Sequence, residues 1–73
     1  MAGNWLKYKN SDNVTVIVNL EQAIRFRHFE SGNESYVEVL AGEEAHSILL
    51  SLDPGAYQDV IDYIKRTTGY ELT

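Results

Sequence analysis

The segment at residues 24–40, IRFRHFESGNESYVEVL, constrains this chain more than any other. Two alternating runs flank Gly32-Asn33, a pair suited to a two-residue hairpin loop because both residues tolerate the positive φ such loops use. That loop fixes a register in which Phe29 stands opposite Tyr36, Arg27 opposite Glu38 and Arg25 opposite Leu40. Successive side chains of a strand point to opposite faces, so Ile24, Phe26 and His28 meet Val37 and Val39 on the other side. The second face reads as core. The first carries the arginines, with Arg27 and Glu38 as a cross-strand charge pair worth about 0.2–1 kcal/mol.

An earlier hairpin follows the same logic. In WLKYKN-SDN-VTVIVN a three-residue loop of Ser11, Asp12 and Asn13, with Asn13 left-handed, pairs Tyr8 with Val16 and Leu6 with Val18. A two-residue loop would instead set Lys7 and Lys9 beside Val16 and Val14, mixing charge into an apolar row. The preferred register turns Trp5, Lys7, Lys9, Thr15 and Ile17 away from the core. The following NLEQA is too short for a regular helix and poor in strand formers, so it reads as a turn or a single helical turn. AGEE permits a third tight connection. Residues 45–52 then give a fifth strand, with Ile48 and Leu50 inward and Leu49 outward beside Tyr36.

The C-terminal part is helical. Asp53 suits the N-cap, Pro54 the first helical position, and Tyr57, Val60, Ile61 and Ile64 form one apolar stripe. Gly69 suits the C-terminal cap, Lys65 and Arg66 complement the helix dipole, and Asp59 and Asp62 mark the wet side. Of Tyr57 and Tyr63, one is placed on the sheet and the other at the boundary. The fold class is α+β: an antiparallel five-stranded β-meander with one C-terminal helix packed on one face, in a single domain over residues 1–73.

One helix of about four turns spans ~21 Å and covers one face of such a sheet. The opposite face collects Trp5, Ile17, Phe29, Tyr36, Leu40 and Leu49, with Lys7, Lys9, Arg25 and Arg27 interspersed and Glu38 in the middle. An apolar patch of this kind on a flat sheet marks a contact surface. A strongly curved sheet or small barrel would instead fold part of it into a second core. Both arrangements are compatible with the pattern.

Composition narrows the functions. With 73 residues and no cysteine, the chain has neither disulfides nor thiolate metal sites to support a small core, and self-association is the remaining common device. The net charge of −5 opposes bulk nucleic-acid binding and polybasic membrane attachment. The N-terminal MAGNWLKYKN has no secretion-signal pattern and no run is long enough for a membrane span, so a soluble, cytoplasmic protein is expected. His28 and His46 both face inward, but from non-neighbouring strands. They share no metal-ligand spacing, and Ser31, Ser35, Ser47 and Ser51 lack the glycine context of an activated nucleophile. No catalytic residue, cofactor or metal is assigned.

Two binding classes remain. Protein contact needs mainly shared apolar surface, whereas single-stranded nucleic acid would stack on Trp5, Phe29 and Tyr36 among the basic residues against an unfavourable overall charge. The segment VTVIVNLEQAIRF, a later apolar strand and the C-terminal YQDVIDYIK resemble small flagellar FlbD-like proteins. That resemblance implies a compact β-rich regulatory or assembly-associated protein. It carries no functional motif, and Arg25, Arg27 and His28 inherit no role from it. The expectation is a non-enzymatic interaction module that dimerises, or binds another protein, through Trp5, Ile17, Arg25, Arg27, Phe29, Tyr36, Glu38, Leu40 and Leu49.

Overall fold

In a computed structural model, which describes residues 4–72, the elements follow the expected order. Residues 1–3, where the N-terminal run read for a leader begins, lie outside the described part. Strands β1 (Trp5–Lys9) and β2 (Thr15–Asn19) pair antiparallel with Leu6 opposite Val18 and Tyr8 opposite Val16. Asn13 closes their loop at φ 65°, and the Asn10 carboxamide oxygen accepts from the N–H groups of Asp12 and Val14. That side chain holds the turn from within, as asparagine does when it bonds to backbone two residues on.

Strands β3 (Ala23–Glu30), β4 (Ser35–Ala41) and β5 (Glu44–Leu49) form a separate antiparallel sheet in that order. Phe29 faces Tyr36, Arg27 faces Glu38, and Tyr36 faces Leu49, as alternation requires. The β3–β4 loop keeps its two-residue register without the expected positive φ at Gly32 or Asn33. Ser31 replaces that device: its Oγ donates to the Glu34 carbonyl at 2.7 Å and accepts from the Glu34 N–H at 3.0 Å. Between β4 and β5, Gly42 does take positive φ, 65°, at the first central position of its turn.

The single five-stranded meander is therefore corrected to a two-stranded and a three-stranded sheet. The break lies at a 3₁₀ turn, η1 (Leu20–Gln22), capped by Asn19, whose side chain accepts from the Glu21 N–H at 3.0 Å. Leu20 is buried at this point and its N–H donates to the Asn4 carbonyl at 2.6 Å. Anchoring Leu20 in the core turns the chain off the β2 line, and β3 starts a new sheet.

Two other inward assignments are corrected. Ile24 sits at an irregularity between Ala23 and Arg25, where the register slips by one residue, and it is 75% exposed. The extra residue of a bulge breaks the alternation that placed it inside. Leu50 is 40% exposed because β5 ends at Leu49, whose carbonyl accepts from both Leu52 and Asp53 as the chain turns into the helix.

Helix α1 (Pro54–Thr68) is capped by Asp53 at Ala56 N–H, 3.2 Å, and closed by Gly69 at φ 84°. Its buried stripe, Tyr57, Val60, Ile61 and Ile64, is widened by Ala56 and Tyr63, so both tyrosines are core residues and neither lies at the boundary. The hairpin contributes Leu6, Tyr8 and Val18, and the three-stranded sheet Val37, Val39 and Ile48. Helix and hairpin together cover the inner face of that sheet. Among the described residues no helix is long and apolar enough to cross a membrane.

Candidate functional site

The residues assigned to one outer face divide between the two sheets. Trp5 and Ile17 stand on β1 and β2 with Lys7, which is paired with Ile17, and Lys9. Trp5 is 56% and Ile17 63% exposed, so their outward direction is as expected, but they belong to the hairpin's own surface. The other seven lie on the three-stranded sheet. Arg25 stands beside Leu40, Arg27 beside Glu38, and Phe29 beside Tyr36, with Leu49 next across β4.

This smaller face has internal order. The rings of Phe29 and Tyr36 stack with centroids 5.2 Å apart, an arrangement that adds to simple apolar burial. Arg27 Nη1 lies 3.7 Å from Glu38 Oε1, and the arginine side chain remains mostly in solvent. A pair so placed contributes little to stability but sets charge in the middle of the face. Phe29 is 47% exposed, while Tyr36 and Leu49, paired across β4 and β5, are half-buried, as is Leu40 farther along β4. The result is an apolar end at Phe29, Tyr36 and Leu49, a charged centre at Arg27 and Glu38, and a second small apolar spot at Leu40.

The two histidines flank β4 on the inner side, His28 from β3 and His46 from β5. Each meets a tyrosine hydroxyl: His28 Nε2 lies 2.5 Å from Tyr57 Oη, and His46 Nδ1 lies 2.9 Å from Tyr8 Oη. Burial pushes both phenols above their ordinary value of 10.0, with Glu44 adding to the effect at Tyr8 and Glu30 at Tyr57. These contacts tie the helix to β3 and β1 to β5. Parity in the sequence turns both histidines inward, but only the packing of hairpin and helix selects their partners. Among the described residues no cluster of three His, Asp or Glu side chains is arranged to hold a metal ion.

Sequence reasoning missed the second contact of Asp53. While Oδ1 caps the helix, Oδ2 accepts from the Lys9 N–H at 3.1 Å, joining the free edge of β1 to the helix N-terminus. Also missed was a cleft of about 430 Å³ between β3 and the residues after α1, lined by Ile24, Phe26, Ile64, Tyr70 and Leu72, with Arg25 among its walls. The apolar alternation of YEL at residues 70–72 is the signal that could have located its far side.

Compared with known proteins, the chain matches no family model, no curated protein and no solved structure.

Proposed function

We propose that this chain is a non-enzymatic interaction module that associates with a second copy of itself through the outer face of β3, β4 and β5. The observation that supports the reading is the stacked Phe29–Tyr36 pair beside Leu49, an apolar cluster on the face that neither helix nor hairpin covers. A two-fold arrangement can place Arg27 of one protomer near Glu38 of the other, so the central charges are self-complementary. Both histidines lie on the inner side, each engaged by a tyrosine hydroxyl, and are not part of this surface.

Size sets the strength. Three strands at ~4.8 Å spacing and six residues at ~3.4 Å rise give a face of about 290 Å² in projection. Two such faces fall at the low end of specific interfaces, below ~1,200 Å² of total burial, so association is weak and concentration-dependent. Nucleic-acid binding is the poorer reading because the split sheet removes Trp5, Lys7 and Lys9 from the Phe29–Tyr36 surface. Arg27 there is partly neutralised by Glu38.

Sedimentation between about 10 µM and about 1 mM tests the proposal, a range matched to Kd values of weak interfaces. The wild type should shift from monomer toward dimer across it. Tyr36→Glu and Leu49→Glu each bury an unpaired charge in the contact and should hold the chain monomeric at an unchanged far-UV spectrum. A wild type that stays monomeric throughout, or a dimer indifferent to both substitutions, sinks the reading.

A further inference from the structure

Strand β3 is an edge strand, and its free side has a chemistry distinct from the sheet face. Ser31 N donates to Glu34 O at 2.9 Å, which makes that pair a hydrogen-bonded one. In an antiparallel ladder both backbone groups of a residue turn to the same side, and the side alternates along the strand. Arg25, Arg27 and Phe29 therefore bond to β4, while Phe26, His28 and Glu30 present N–H and C=O outward. Among the described residues no backbone group bonds to that edge.

We propose that the β3 edge and its adjoining cleft bind an extended segment of a partner protein whose side chains alternate apolar, acidic, apolar. An added strand sends alternate side chains to opposite faces of the sheet. Those on the helix side enter the cleft, where Phe26, buried Ile64 and half-buried Leu72 form apolar walls under the exposed rims of Ile24 and Tyr70. At about 430 Å³ the cleft has the dimensions of sites that accept small apolar groups. Those on the other side stand beside Arg27 and beside Arg25, which at the bulge also borders the cleft. Arg27 has Glu38 across the strand, but Arg25 faces Leu40, and no carboxylate pairs with it among the described residues. An acidic side chain at that position completes the charge pattern.

The same charges disfavour a second β3 in the slot. Antiparallel pairing of two β3 edges about Phe26 sets Arg25 against Arg27, and a shift by one position each sets Arg27 against itself; like charges directly opposite destabilise a ladder. In these two registers the edge resists its own copy, one of the ways open strands avoid indiscriminate pairing. The chain's own Tyr70-Glu71-Leu72 carries the favoured pattern, and its two apolar side chains already line the cleft. Its acid, however, is held by Lys65 at 3.0 Å on the helix. The tail fills part of the cleft without pairing to the strand, and an incoming segment competes with it for the apolar walls.

Titrating the isotope-labelled full chain with a blocked Thr-Val-Glu-Val-Thr peptide, followed by amide chemical shifts, tests this. The expected result is perturbation centred on Phe26, His28 and Glu30. Binding should weaken about tenfold when the peptide's Glu is replaced by Lys, the swing from attractive to repulsive cross-strand charge. Arg25→Glu should invert the preference and take the Lys peptide better. If that variant does not fold, the wild type's choice between the two peptides still decides. Equal affinity for both peptides, no shifts at millimolar peptide, or shifts confined to Phe29, Tyr36 and Leu49 overturn the proposal; the last outcome would assign peptide binding to the outer face instead.

Discussion

Replacing Asp53 probes the join between the first strand and the helix, because one carboxylate serves both. Oδ1 accepts from Ala56 N–H at 3.2 Å and Oδ2 from Lys9 N–H at 3.1 Å. Losing an N-cap acceptor costs ~1 kcal/mol. The Lys9 bond is exposed, so water can replace its acceptor, and its loss adds only about 0.5–1 kcal/mol. Asp53→Ala should therefore cost about 1.5–2 kcal/mol, which at 4–8 °C per kcal/mol for a domain of this size lowers Tm by about 6–16 °C. Asp53→Asn separates the two roles, since a carboxamide has one acceptor oxygen and can keep the cap but not both bonds. It should cost only the smaller share, about 0.5–1 kcal/mol. Thermal melts by circular dichroism give the ranking, and hydrogen exchange at the Lys9 amide reports the second bond directly. If Asn and Ala melt alike, or if Lys9 exchange is unchanged in both, the double role of Asp53 is refuted.

Stability should also fall in alkali. The phenols of Tyr8 and Tyr57 are raised in the fold above 10.0, so the unfolded chain releases their protons first; their contribution is intact below that pH and is lost as pH climbs beyond it. Melts across that range should show the decline, and Tyr8→Phe and Tyr57→Phe should each flatten it; an undiminished slope in both would place its source elsewhere. Leu20→Ala removes a buried anchor and should cost about 2–4 kcal/mol, while Ile24→Ala at an exposed bulge should stay within about 0.5 kcal/mol in urea unfolding. Equal costs at the two positions would contradict the inside–outside assignment.

Registers were legible because alternation leaves few choices. Setting Tyr8 against Val16, or Phe29 against Tyr36, keeps every inward position apolar or aromatic, whereas a one-residue slip buries lysine or arginine. The helix was legible from Asp53, Pro54, the Tyr57–Ile64 stripe and Gly69, each a local signal. The division into two sheets was not. Asn19 and Leu20 fit a strand-to-strand turn equally well, and only the burial of Leu20 by other elements bends the chain away. Ile24 misled for the opposite reason: an apolar residue in phase with Phe26 reads as core unless the bulge is known. The candidate face was half legible. Adjacent strands gave Arg25, Arg27, Phe29, Tyr36, Glu38, Leu40 and Leu49 correctly as neighbours, while Trp5 and Ile17 joined them only under the assumption of one continuous sheet.

The link from Lys9 to Asp53 has a bearing on the order of assembly. Each hairpin joins strands close in sequence, and such units close within microseconds because little chain entropy is lost. The contact between β1 and the start of α1 instead spans 44 residues and encloses all the other strands. Val37, Val39 and Ile48 have no complete cover until that loop is shut, since helix and hairpin supply it jointly. Local pairing can thus run ahead of the core, but the molecule becomes cooperative only when its first strand meets its last element.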